Sequence, residues 1–392
     1  MSKLQELIKE LCPDGVEFRK LWNVTIWDKK FNSVDRCKQP KVISYPYLLA
    51  KELFLLEQCN GNVFLLSTGE QTGWTTEELA GDYLCEGEVV TIPWGKSRKV
   101  SEVMKYYKGK FVTADNRIAT SNDTSILSNK YLYYWLLTQS DNIAKCYRGA
   151  GIQHPDMSKI LDLEIPLPPL EVQNEIVRIL DTFTSQVEEL QAELEARKEQ
   201  YEYYRNKLLT FAKIGGGKQE VAWMKLGEIG NVYSGKNKEK NPIGTYPVYG
   251  STGIIAYTEN YSYCDERILI ARVGANAGYT HMAFGKYDVS DNTLIVDLKE
   301  GVNLKYVYYT LVNLNLNKYA KGGGQPLITA GEIKIIQIPI PPLSEQQRIV
   351  SILDKFEFLV NDLTTGLPAE IAAVQEQYEY YRNKLLTFKR IS

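Results

Sequence analysis

Side chains able to do covalent chemistry are sparse in this 392-residue chain. His154 and His281 are its two histidines, and both read better as structural groups than as proton shuttles. Six cysteines (Cys12, Cys37, Cys59, Cys85, Cys146 and Cys264) include no Cys-x-x-Cys pair, which argues against a disulfide framework or a structural zinc site. Gly95-Lys96-Ser97 has the end of a phosphate-binding loop, but Val90 stands where its first glycine is needed, so ATP hydrolysis is not expected. Pro168-Pro169 and Pro341-Pro342 are each followed by leucine and preceded by Leu or Ile. They lack the Asp or Asn before and the aromatic residue after that a loop gripping a flipped adenine requires. No Gly-rich strand-to-helix turn offers a seat for S-adenosylmethionine. What remains is recognition chemistry in basic clusters: Lys96-Ser97-Arg98-Lys99 with Lys105, Lys108 and Lys110, then Lys236, Lys238 and Lys240. Such runs either contact phosphates or are the solvated loops of an ordinary surface.

Bulk composition narrows the class. Net charge is −2, unlike a basic nucleic-acid binder. The charge is unevenly spread: residues 171–211 carry −4 and residues 344–388 carry −3, so the rest sums to +5. With 44% hydrophobic and 24% charged residues the chain is that of a globular protein, long enough for two or three domains. No apolar run approaches the roughly 20 residues needed to cross a bilayer. Residues 1–15 form a short charged amphipathic segment stopped by Pro13, Asp14 and Gly15, not a signal peptide. The cytoplasm is the expected compartment.

The elements that must carry the polar loops come in duplicate. Glu199–Phe211 reads EQYEYYRNKLLTF, and Glu376–Phe388 repeats it letter for letter. Upstream, Ile165–Phe183 (IPLPPLEVQNEIVRILDTF) matches Ile338–Phe356 (IPIPPLSEQQRIVSILDKF). Core packing constrains the apolar positions of a helix and is indifferent to most surface letters. Glu202, Arg205, Asn206 and Lys207 nevertheless recur as Glu379, Arg382, Asn383 and Lys384, which points to two docking surfaces for two copies of one partner.

From Glu171 the apolar positions Ile176, Leu180, Phe183, Val187, Leu190, Leu194, Tyr201, Tyr204, Leu208 and Phe211 alternate by four and three once Arg197 fills the gap. That spacing predicts a coiled-coil helix over 171–214, roughly 60 Å long at about 1.5 Å per residue. Gly215-Gly216-Gly217 follows as a linker. A second helix is expected over 344–388, with Ser344 and Gln347 as a capping box. This copy is four residues longer near Leu363 and Leu367, and Gly366 with Pro368 predicts a break there.

The stretches before the helices match more loosely. Val16–Leu21 parallels Val221–Leu226, Ser67-Thr68-Gly69 parallels Ser251-Thr252-Gly253, Asp115-Asn116 parallels Asp291-Asn292, and Lys130–Tyr134 parallels Lys305–Tyr309. Short β-type runs such as Glu88–Ile92, Ile268–Arg272 and Leu294–Leu298 dominate them. The expected fold is α+β: two similar globules, 16–170 and 218–343, joined by two long antiparallel coiled-coil helices in a pseudo-twofold internal repeat.

The pattern IPLPPL…Q…I…IL…F followed by QYEYYRNKLLTF, present twice after two divergent globules, resembles the specificity subunit of Type I restriction-modification enzymes. The resemblance runs from about Val16 to Phe388. It implies two target recognition domains, each reading half of a bipartite, asymmetric DNA site. It also implies that the helices set the spacer and dock two modification (adenine methyltransferase) subunits, with restriction subunits completing an ATP-dependent endonuclease. The chain itself would be non-catalytic and bind no cofactor. S-adenosylmethionine, ATP and Mg would sit on the partner subunits.

Base reading needs Arg, Lys, Asn, Gln, Ser or Thr on loops. In the first globule the candidates are Ser67, Thr68, Gln71, Lys96, Arg98, Lys99, Arg148 and Gln153. In the second they are Lys236, Lys238, Ser251, Thr252, Arg272, Asn276, Lys321 and Gln325. Each of these turns is also plain loop chemistry, and Trp74 and Trp94 suit an ordinary half-buried position better than a base wedge. Leu180, Phe183, Tyr201, Tyr204, Arg205, Leu353, Phe356, Tyr378, Tyr381 and Arg382 are the expected seam and partner contacts. The rival readings are a coiled-coil scaffold that binds no DNA, and an enzyme whose nuclease or methyltransferase site escapes motif recognition.

Overall fold

The computed structural model describes residues 3–95, 98–150, 153–211, 221–238, 241–362 and 365–391. The longer helices are α1 (Lys3–Leu11), α2 (Asn129–Thr138), α3 (Leu170–Leu209), α4 (Leu304–Leu314), α5 (Leu343–Asn361) and α6 (Leu367–Leu385). By internal contacts the chain divides into unit 1, Met1–Glu189 with Ala372–Ser392, and unit 2, Leu190–Ile371. The long helix α3 therefore contributes its first half to one unit and its second half to the other.

Unit 1 holds strands β1 (Glu17–Lys20), β2 (Thr25–Trp27), β3 (Val63–Leu66), β4 (Gly73–Thr75), β5 (Cys85–Ile92), β6 (Tyr106–Ala114), β7 (Arg117–Ser121) and β8 (Glu164–Leu167). Unit 2 holds β9 (Ala222–Lys225), β10 (Gly230–Ser234), β11 (Tyr246–Gly250), β12 (Gly253–Thr258), β13 (Arg267–Ala271), β14 (Thr280–Ala283), β15 (Asp288–Val289), β16 (Thr293–Leu298) and β17 (Gln337–Ile340). The main sheet of unit 1 runs β2-β7-β5-β6-β3-β4, with Tyr47–Leu48 also paired to β6. Unit 2 repeats the order as β10-β16-β13-β14 and, separately, β15-β11-β12.

Strand sense repeats as well. β3 is parallel to β6 and antiparallel to β4, and β11 is likewise parallel to β15 and antiparallel to β12. One difference stands out: β6 is continuous, whereas its counterpart is interrupted between β14 and β15, where Gly285 has φ +72°. β1 pairs with β8 in the same register as β9 with β17, Glu17 opposite Leu167 and Ala222 opposite Ile340.

The central strands read as apolar runs because both faces are covered: Val89–Ile92 and Thr293–Val296 are buried throughout. Tyr131, Leu132, Trp135 and Leu136 of α2 join β5 and the start of α3 in one cluster with Ile176 and Leu180. The equivalent cluster of unit 2 contains Tyr306, Val307, Ile349 and Leu353.

Both long helices begin one residue earlier than expected, and the second does so without its expected cap. α5 starts at Leu343 after Pro342, whose fixed φ suits a helix entry, and no side chain caps it. Ser344 thus lies inside the first turn. Gln346, nearly fully buried, takes over the locking role: its amide donates to Pro341 O at 2.8 Å and its carbonyl accepts from Asn303 N at 2.9 Å. Gln173 does the same with Pro168 O (2.8 Å) and Ser128 N (2.9 Å). The expected break in the second copy lies between α5 and α6. A side chain on Gly366 would stand 2.7 Å from the carbonyl oxygens of both Phe358 and Asp362, so only glycine allows that close turn. The glycine linker and Leu363 fall outside the described residues.

Candidate nucleic-acid interface and helix seam

In unit 1 the first half of α3 faces the second half of α6. Phe183 stacks on Tyr381 (centroids 5.5 Å apart, planes 20° apart), and Tyr134 meets Tyr378 edge-on at 6.5 Å. Beyond α6 the chain reaches the strands preceding α3. Val16 N donates to Lys389 O (2.8 Å), Ile391 N donates to Val16 O (3.1 Å), and Arg390 lies over Phe18 while pairing with Glu164. The two helices are therefore antiparallel in this unit. In unit 2 the second half of α3 supplies the same chemistry to α5: Phe356 stacks on Tyr204 (5.5 Å, 23°) and lies 6.4 Å from Tyr201.

Each seam is anchored by a partly buried polar lock. Tyr134 donates to Asp181 (2.5 Å) and Lys130 to the other oxygen (2.8 Å). Tyr309 and Lys305 do the same with Asp354 (2.6 and 2.9 Å). Burial together with the neighbouring carboxylate raises the pKa of both tyrosines, keeping them protonated donors.

The repeated thirteen-residue block divides by face. Tyr201, Tyr204, Arg205 and Leu208, like Tyr378, Arg382 and Leu385, turn toward the seam, with Arg205 over Tyr201 (5.1 Å) and Arg382 over Tyr378 (5.2 Å). Leu180 and Leu353 have no exposed surface, so they belong wholly to the core. Glu199, Glu202, Tyr203, Asn206, Lys207 and Thr210 are exposed, and so are Glu376, Glu379, Tyr380, Asn383, Lys384 and Thr387. Their spacing puts each set on one helical stripe. At its centre Lys207 covers Tyr203 (5.5 Å) and Lys384 covers Tyr380 (5.3 Å). Of the repeated polar letters that suggested docking, Arg205 and Arg382 turn to the seam, whereas Glu202, Asn206 and Lys207, with Glu379, Asn383 and Lys384, face outward, where internal packing leaves their repetition unexplained.

The expected reading residues gather on strand-end loops within each unit. In unit 1 the β3–β4 loop carries Ser67, Thr68 and Gln71. Arg98 reaches it through an ion pair with Glu70, and Lys105 through Ser67 O and Gly69 O. Trp94 brings in the neighbouring hairpin: its ring lies 4.1 Å from that of His154, its carbonyl lies 3.1 Å from His154 Nδ1, and Tyr147 donates to Pro93 O (2.5 Å). That hairpin holds Arg148, paired with buried Asp156, and Gln153. Gln71 and Lys99 are exposed, whereas Ser67 is buried and serves the loop itself, its hydroxyl lying against the carbonyls of Gly69 and Gln71. Lys96 lies outside the described residues. Trp74 stays 44% exposed, edge-on to Phe64.

In unit 2, Asn237 N donates to Val289 O (3.0 Å) and Ser290 N to Tyr249 O (2.8 Å), drawing the Lys236–Lys238 loop to the Ser251-Thr252 turn. Arg272 N donates to Asn292 O (2.9 Å) and Gly274 N to Pro326 O (2.9 Å), adding the loop of Asn276 and the loop of Lys321 and Gln325. Lys236, Lys238, Thr252, Asn276 and Gln325 are exposed; Lys321 pairs with Glu332 at 2.8 Å. His281 packs between Tyr249 and Tyr279, and burial pushes its pKa down to about 4, so it is neutral near pH 7. Among the described residues, no group of three His, Cys, Asp or Glu side chains could hold a metal ion, and no helix is long and apolar enough to cross a membrane.

Sequence reasoning missed Asn116. Its amide, 1% exposed, donates to Leu66 O (2.9 Å) and Ser67 O (3.2 Å), whereas its sequence counterpart Asn292 is exposed. The Asp-Asn doublet was the available signal, but identical letters serve different ends in the two units.

A duplicated α+β domain with polar strand-end loops, carried on helices that bear a repeated outward face, is the architecture of a two-part specificity protein. The family described as Type I restriction modification DNA specificity domain matches residues 47–197 and 218–373, and the chain belongs to it. It is 36% identical over 310 residues to the EcoR124I/EcoR124II type I restriction enzyme specificity subunit of Escherichia coli, covering 70% of this chain and 74% of that one. It is 33% identical over 339 residues to a putative type I restriction enzyme specificity subunit of Haemophilus influenzae, covering 80% and 86%. In fold it is similar to the S subunit of a type I restriction-modification system from M. genitalium (TM-score 0.63, 17% identity, 95% and 96% covered).

Proposed function

We propose that this chain is the non-catalytic DNA-reading subunit of a cytoplasmic Type I restriction-modification complex. Unit 1 reads one half of a bipartite, asymmetric site and unit 2 the other. The helices set the unread spacer and dock two adenine methyltransferase subunits, which carry S-adenosylmethionine and flip the target base. Restriction subunits carrying ATP and Mg complete the endonuclease.

The observation that carries this reading is the contrast between the repeated and unrepeated surfaces. The outward stripe at Tyr203 recurs letter for letter at Tyr380, as two copies of one partner require. The strand-end loops differ between units that share one strand order, as two different half-sites require. Mapping methylated adenines genome-wide with and without this chain tests it. The expected result is a set of two-part motifs that disappears with the chain. Activity of the purified chain alone, or methylation indifferent to its removal, would favour a different function.

A further inference from the structure

The β3–β4 loop of unit 1 is wound around the buried side chains of Ser67 and Asn116 and the partly buried Lys105. Lys105 is pinned through its backbone to fully buried Thr91, by Thr91 N to Lys105 O (2.8 Å) and Lys105 N to Thr91 Oγ1 (3.0 Å). From there its ammonium rises beneath the loop and donates to Ser67 O (3.1 Å) and Gly69 O. Asn116 donates from the other side to Leu66 O and Ser67 O, and the Ser67 hydroxyl lies against the carbonyls of Gly69 and Gln71. The carbonyls of Leu66, Ser67, Gly69 and Gln71 are thereby engaged inside the loop. Gln71 and Thr72 are left exposed at its tip. A glutamine amide offers the donor–acceptor pair that matches the N6/N7 edge of adenine.

Among the described residues, unit 2 shows no such device. Its counterpart is the tight turn Ser251-Thr252, closed by Gly253 at φ +98°. The two units therefore differ here in how the reading loop is held as well as in its letters.

We propose that Lys105 and Asn116 are positioning residues for base reading: they fix residues 67–72 so that Gln71 meets a base edge in the half-site read by unit 1, without touching DNA themselves. This rests on the reading of the chain as a DNA-specificity subunit. Burial pushes the Lys105 amine down to about 8, and Glu70, whose charge acts against that shift, is engaged by Arg98. The clasp therefore weakens as pH rises through that value.

The test is adenine methylation mapping with the complete assembly carrying the wild-type chain, Lys105→Met, Asn116→Ala or Gln71→Ala. Wild type gives a two-part motif; if it gives none, the functional reading itself fails. The expected result for Lys105→Met and Asn116→Ala is relaxation at one or two positions of a single half-site, by about ten- to a hundred-fold in discrimination, with the other half unchanged. Gln71→Ala, on an exposed tip that cannot unfold the domain, relaxes one of those same positions, and combining it with Lys105→Met adds little. An unchanged motif in Gln71→Ala overturns the proposal. So does a loss of affinity in Lys105→Met that is equal for all sequences and lowers the salt dependence, since that marks a phosphate contact.

Discussion

Removing the Tyr203 and Tyr380 rings separates docking from folding. Both keep more than half their surface in water, 59% and 58% exposed, and each touches only close neighbours on its own helix: the lysine four residues on, and the next tyrosine, edge-on at 5.3 Å. Losing these two exposed contacts costs about 0.5–1 kcal/mol, a small surface effect beside the loss of a buried side chain. An aromatic anchor at the centre of a protein interface costs about 2–4 kcal/mol when truncated, roughly 30- to 1000-fold in affinity. Tyr203→Ala is therefore expected to leave guanidinium unfolding nearly unchanged while native mass spectrometry shows one methyltransferase subunit lost. Tyr380→Ala loses the other copy, and the double variant loses both. Leu180→Ala is the contrasting control: fully buried, it lowers stability by about 2–5 kcal/mol. A double tyrosine variant that still binds two partner copies at unchanged affinity refutes the docking argument.

Two predictions concern unit 1 itself. Asp28 is 5% exposed, its carboxylate accepts from Ile118 N at 3.1 Å, and burial pushes its pKa up to about 6. A raised carboxyl pKa means the folded state holds the proton more tightly, so stability falls as pH rises from about 4 to about 6. Asp28→Asn should stabilise unit 1 at pH 7 by up to about 3 kcal/mol and lose that advantage below pH 4; parallel melting curves that coincide at both pH values would contradict this. Truncation after Phe388 removes both backbone bonds to Val16 and the Arg390–Glu164 pair, costing about 1–3 kcal/mol. Calorimetry should register that loss in unit 1 alone, and an unchanged transition would show the tail to be idle.

What the sequence revealed and what it hid have physical reasons. Duplicated helices are legible because seam spacing is local: Ile176, Leu180, Ile349 and Leu353 lie where periodicity puts them and are fully buried. Strands were legible at Glu88–Ile92, Ile268–Arg272 and Leu294–Leu298, each within a few residues of the observed span, because apolar runs mark covered strands. Candidate reading loops were legible as loops, and their convergence within each unit follows from strand order. The inner workings of those loops were not. Ser67 looks like a free hydroxyl until Asn116, 49 residues away, and Lys105, 38 away, are seen to hold its carbonyl. Gln346 displaced the Ser344 cap because its partner, Asn303, is 43 residues away. Bonds of that range leave no periodicity to read.

Exchange of the first recognition domain bears most directly on the central claim. Residues 16–166 would be replaced by the matching segment of a relative with a different recognised sequence, and methylated sites mapped. One half of the two-part motif should become the relative's, with the other half and the gap length unchanged. A motif that changes in both halves, or in neither, contradicts the assignment of one unit to each half-site.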